Sequence, residues 1–278
     1  MLKFLTAKKI TQIINLTEKK TDVKIPEVKD SLLFKPTSED KILVQVKNLK
    51  KSFKVGLKKY KKVLDDFNFN IYKNKNVALI GANGAGKTTF IEILCGVQKA
   101  SSGNINFGYD YSYNPFEKIG VQFQKGKYPS ALTVNDVIEF LRSIRRGIFV
   151  SQKELNEMLQ AFNLTELLHY EANSLSGGQR QRLNIMISLL NYPKLLLLDE
   201  LTTGLDVNSQ KKVLNYLKKY AKNHDVTIIC VSHNILEIKE LCERIVLLRA
   251  GKIVLDIDVN KLMKENIDLT GFIAPYLV

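Results

Sequence analysis

The stretch GANGAGKTT, residues 81–89, sets glycines, a lysine and two threonines at the spacing G-x-x-x-x-G-K-[ST]. Glycines let a backbone fold around an anion, so that successive N–H groups point at phosphate oxygens. Gly81, Asn83, Gly84, Ala85, Gly86 and Thr89 supply that cradle here, Lys87 adds a full positive charge, and Thr88 offers a hydroxyl to Mg²⁺. The pattern predicts binding of a nucleoside triphosphate.

Further groups suited to phosphate chemistry follow at intervals. Asp199 and Glu200 close the apolar run Leu195–Leu198; two adjacent carboxylates there can hold a cation and orient a water. The bland alternative is a solvated strand end, which the motifs before and after them disfavour. Ser232 and His233 follow the apolar segment 227–231, and Gln124 ends the strand-like segment 119–123, with Gln122 two residues earlier as its competitor. The run LSGGQ at 175–179 puts Ser176, Gly177, Gly178 and Gln179 at a helix start, a second place where backbone N–H groups gather for an anion.

These residues need elements to hold them. Residues 77–80 read as a strand and 90–94 as the start of a helix, which places the glycine loop between them. Strands are expected at 42–46, 63–71, 195–198, 227–231, 244–248 and 252–255, with a lysine-rich hairpin tip over 54–62. From Leu132 to Ser174 the apolar period turns helical, and T-x-x-D at 133–136 and S-x-x-E at 151–154 resemble capping boxes. The alternation predicts an α/β fold with a mostly parallel central sheet, an antiparallel β-subdomain beside it and a helical subdomain over about 130–178. The domain is expected to span 41–256. Residues 1–40, with Pro26 and Pro36, read as an extension and linker, and 257–278 as a short tail.

In this order, the phosphate loop, Gln124, LSGGQ, Asp199-Glu200, Asp206 and His233 resemble the nucleotide-binding subunit of ATP-binding cassette (ABC) transporters. The resemblance covers roughly residues 42–256. It implies an ATPase that uses ATP and Mg²⁺, with Asp199, Thr88 and Gln124 around the metal, Glu200 as general base, and His233 at the γ-phosphate beside Lys87. It implies an aromatic residue stacked on adenine at the position of Phe53, with Tyr60 as the alternative. It further implies that LSGGQ meets the nucleotide of a second cassette subunit, identical or not, with Asp206 at that interface. A transmembrane permease is the implied partner, and the stretch Tyr128–Phe140 looks most like the export branch. Two departures stand out: Leu201 replaces the usual proline after the base, which is expected to loosen the loop, and Phe53 replaces the commoner tyrosine. A soluble ATPase acting on ribosomes or DNA is the alternative. One cassette in the chain, without a long coiled-coil or zinc insertion, speaks against it.

Composition narrows the classes further. No run of eighteen apolar residues exists, and residues 1–9 carry too short an apolar core for a signal peptide, so the expected place is the cytosol, on the inner face of the cell membrane. The net charge is +14, but only seven of the 42 basic residues are arginine, so the lysines read as a solvated surface and no specific nucleic acid is expected. Cys95, Cys230 and Cys242 have no C-x-x-C pairing and read as buried thiols. His169 and His224 have no motif context and no assigned role.

Overall fold

A computed structural model describes residues 28–56, 59–123, 128–144 and 149–274. At its centre six strands lie in the order β5-β6-β7-β3-β8-β9. They are β3 (Val77–Ile80), β5 (Ile119–Gln122), β6 (Leu195–Asp199), β7 (Thr227–Val231), β8 (Arg244–Arg249) and β9 (Lys252–Asp258). The first five pair in parallel, and only β9 runs antiparallel, against β8. Every residue of β3, β6 and β7 is buried, as continuous apolar runs require when both faces of a parallel sheet are covered.

Alternation along each strand feeds two cores. Ala78, Ile80, Leu196 and Leu198 point into one, shared with the helices α4 (Gly177–Leu189) and α5 (Val207–His224). Val77, Leu79, Leu195 and Leu197 point into the other, which holds α1 (Lys87–Leu94) and the antiparallel sheet β2-β1-β4, built from β1 (Ile42–Lys54), β2 (Tyr60–Tyr72) and β4 (Ser102–Phe107). The hairpin strands run longer than expected, and β4 was not foreseen: its burial is only partial and carries no clean period.

The helical region holds α2 (Val134–Ile144) and α3 (Gln152–Ala161). Thr133 and Asp136 cap α2 reciprocally, as a capping box does. At α3 the box is only half made. Ser151 Oγ accepts from Glu154 N–H, but the Glu154 carboxylate turns away to the Tyr192 hydroxyl and to His224 Nε2, 3.2 Å from it.

Residues 30–34, read as linker, dock against the end of the chain. Phe34 N–H donates to Asp256 O, Leu33 bridges Ile257, and Lys261 Nζ donates to Leu33 O. Lys261 belongs to α7 (Val259–Lys264), which with α8 (Leu269–Ile273) buries Val259, Leu262, Leu269 and Ile273 in the core. The part of the expected extension over 1–27 lies outside the described residues.

Candidate nucleotide site

The carboxyl ends of parallel strands are where an open α/β sheet offers room for a ligand. Here β3, β6 and β7 lie side by side, so three loops converge: 81–86, 200–206 and 232–234. Between them is a cavity of about 330 Å³, lined by Asn83, Gly84, Gly86, Lys87, Thr88, Thr89, Asp199, Glu200 and His233, with Lys61, Val63 and Val231 completing the wall.

The glycine loop is shaped by close approach as well as by turning. Gly86 N-caps α1 at φ +108°, and a Cβ there would sit 2.9 Å from Val63 O. Lys87 is buried, its Nζ donating to Gly81 O at 2.5 Å and Ala82 O at 3.1 Å. Burial pulls its pKa down, and the Asp199 and Glu200 carboxylates oppose that. Thr88 Oγ1 lies 3.5 Å from Asp199 Oδ2. Burial, then the neighbouring Glu200, push the Asp199 carboxyl above its ordinary value. His233 is pushed the other way, by burial and then by Lys87, which favours the neutral imidazole.

Glu200 stands one residue beyond β6 at φ +55°, a left-handed conformation uncommon for a glutamate. The loop after it is tied down. Leu201 is fully buried, while Thr202 gives both its N–H and its hydroxyl to the buried Glu237 of α6 (Ile235–Leu241). Asn234 Nδ2 donates to Thr202 Oγ1 at 3.1 Å and Asn234 N–H to Ser232 Oγ at 2.9 Å, linking this loop to the His233 segment. The loosening expected from leucine in place of proline is therefore not what the structure shows.

Other expected residues lie away from the cavity. Ser176 N-caps α4 in a reciprocal box with Gln179, and Ser176 and Gly177 face solvent. Gly178 presses on the loop after Glu200: a Cβ there would be 2.9 Å from Gly204 O. Asp206 caps α5 through Asn208 and Ser209 N–H, and hydrogen bonding from Ser209, its side chain first and then its N–H, lowers the Asp206 pKa. Gln124 lies outside the described residues. Gln122, its competitor in the sequence, is buried with its amide turned onto Phe123 O and Asp199 O.

Strand register separates the two aromatic candidates. Phe53 pairs with Lys61, and directly opposed residues share a face of the hairpin. Lys61 and Val63 line the cavity, so Phe53 lies on the cavity side, with Lys51 Nζ 4.8 Å from its ring. Tyr60 pairs with Lys54, on the opposite face, and is 64% exposed.

Sequence reasoning passed over Lys61, Gln181 and Glu237. Gln181 did leave a signal: it stands four residues before Ile185 and eight before Leu189, on the buried face of α4.

The ABC transporter family profile matches residues 64–203. A lantibiotic transport ATP-binding protein of Streptococcus pyogenes is 34% identical over 215 residues, 77% of this chain and 90% of that protein. A methionine import ATP-binding protein of Helicobacter pylori is 32% identical over 222 residues, 77% of this chain and 67% of that one. A solved dimeric ATP-binding cassette in a post-hydrolysis state, bound to ADP and Pi, has a TM-score of 0.67 at 28% identity, covering 78% of this chain and 98% of that chain. Among the described residues no helix is long and apolar enough to cross a membrane.

Proposed function

We propose that this chain, which belongs to the ABC transporter ATP-binding family, hydrolyses ATP as one of two cassettes that drive export through a separate membrane permease. The observation that carries this reading is the division of the site. Lys87, Thr88, Asp199, Glu200 and His233 share one cavity, whereas Ser176 and Gly177 face solvent and none of the LSGGQ residues lines it. A cradle for phosphate that points away from its own cavity is suited to a nucleotide held by a second copy, and the related cassette of known structure is dimeric.

In this reading the N–H groups of residues 83–89 and Lys87 bind the β- and γ-phosphates. Phe53 stacks on adenine from the hairpin face it shares with Lys61. Thr88 and Asp199 bring two hard oxygen donors to one side of the cavity, and a magnesium ion held there would neutralise charge on the phosphates. Glu200 orients the attacking water and accepts its proton. His233 donates to the γ-phosphate. Ser176, Gly177, Gly178 and Gln179 of one copy close over the nucleotide of the other, with Asp206 at the seam.

The direction rests on the stretch Tyr128–Phe140, which resembles the export branch, and a lantibiotic transport ATP-binding protein is among the relatives. The test is purification of the tagged full-length chain from gently solubilised membranes, followed by identification of stoichiometric partners. A polytopic membrane protein at a fixed ratio is the expected result. Recovery with ribosomes or DNA and no membrane protein would overturn the transport reading and leave the ATPase chemistry standing.

A further inference from the structure

The geometry points to Gln181, on the helix that begins at LSGGQ, as a positioning residue for hydrolysis that holds Glu200 by its main chain. The inference rests on reading Glu200 as the carboxylate that orients water. Beyond Asp199 the β6 ladder ends, and buried carbonyls there must find other donors or cost free energy. Side-chain amides take three in succession. Gln122 Nε2 donates to Asp199 O at 3.2 Å, and Gln181 Nε2 donates to Glu200 O at 3.1 Å and Leu201 O at 2.7 Å. Only the NH₂ end of an amide can serve a carbonyl, which fixes which way round both side chains sit. The two amides also meet, with Gln122 Nε2 3.5 Å from Gln181 Oε1.

Glu200 at φ +55° occupies a left-handed region that disfavours a non-glycine residue, and such a conformation persists only where its surroundings over-determine it. Gln181 bridges the carbonyls of residues 200 and 201 and so restrains the peptide that follows this φ. The approach of Gly178 to Gly204 O presses the same helix onto the same loop. The main chain that carries the Glu200 carboxylate is thus held from the LSGGQ helix of its own copy, while Thr203 Oγ1 lies 3.4 Å from the carboxylate itself.

The test compares the full-length chain with Gln181→Met, Glu200→Gln and the double variant, measuring Mg-ATP hydrolysis and ATP binding. Methionine keeps the length of the side chain and removes its donors. Gln181→Met is expected to lower kcat about 10- to 100-fold while leaving the Kd for ATP within about twofold. In the Glu200→Gln background the same change should cost under about twofold, because nothing remains to be positioned. An unchanged kcat, an equal loss in both backgrounds, or a loss that appears as weaker ATP binding would overturn the inference. Full activity of Glu200→Gln is a different failure and would overturn the reading of Glu200 itself. Gln181→Glu provides a second arm should the methionine variant fold poorly. Its carboxyl donates only when protonated, so its kcat relative to the parent should rise as the pH is lowered towards the carboxyl range. A flat ratio would contradict the positioning role.

Discussion

Two buried cations show how differently this fold treats charge. Arg244, 1% exposed at the start of β8, is fully provided for. Its guanidinium pairs with the Asp256 carboxylate, donates to Asn70 O at 3.0 Å, and lies 4.1 Å from the Phe34 ring, with Phe69 and Tyr72 within 5.3 Å. It thereby clasps residues 30–34, the antiparallel sheet and the β8–β9 hairpin together. Lys87, 8% exposed, has two backbone carbonyls instead of a carboxylate partner, and burial depresses its pKa. One cation is settled by the chain itself; the other, in the function proposed above, meets a ligand whose phosphates bring negative charge. The contrast teaches that burial alone does not mark a functional charge. The kind of partner does.

The largest expected effect lies on the ligand side. Glu200→Gln should lower kcat by about 10²–10⁴-fold, read as phosphate release, while the urea midpoint stays with the parent. On the structural side, Arg244→Leu strands Asp256 and should destabilise the fold by about 3–5 kcal/mol, read as the urea midpoint, with turnover per folded molecule within about twofold. A comparable loss of turnover in Arg244→Leu would collapse the distinction between the two cations.

Smaller effects sharpen it. Phe53→Ala should weaken ATP binding by about 1–3 kcal/mol in a titration, and Tyr60→Ala should leave it within about twofold, since only the first lies on the cavity face. Asp199→Asn should stabilise the nucleotide-free protein by about 0.5–2 kcal/mol, as relief of a strained functional site does. The sign follows from its raised pKa. The folded state holds the Asp199 proton more tightly than the unfolded chain does. The associated stability is present below the model-peptide value near 3.8 and is lost as pH rises through the raised value. The stability difference between Asp199→Asn and the parent should therefore grow with pH across that window.

What could be read from the sequence divides along the same line. The phosphate loop, LSGGQ, Asp199-Glu200 and Ser232-His233 are contiguous, because each is one loop or strand end whose groups stand side by side in the sequence. The continuous apolar runs that make β3, β6 and β7 central strands are equally local. The Arg244 clasp was invisible, since its partners stand at residues 34, 69, 70, 72 and 256 and only folding brings them together. The same holds for Gln181 and Glu237, whose partners follow Asp199 in a loop that neither shares in sequence. The choice between Phe53 and Tyr60 needed the register, because β1 and β2 slip out of simple pairing between Lys51 and Ser52 and parity cannot be counted through that irregularity. Docking of residues 30–34 escaped notice because prolines either side of it suggested a linker, and the attraction comes from a cation more than two hundred residues away.

Thermal unfolding with and without Mg-ATP tests the contrast between the two cations most directly, in the parent, Arg244→Leu and Lys87→Met. At ATP about 100 times its Kd the parent should gain about 2.7 kcal/mol. Arg244→Leu should start from a lower Tm and gain the same increment. Lys87→Met should start close to the parent and gain almost nothing. The full increment in Lys87→Met would contradict the account, because Lys87 would then not be the charge that the nucleotide completes.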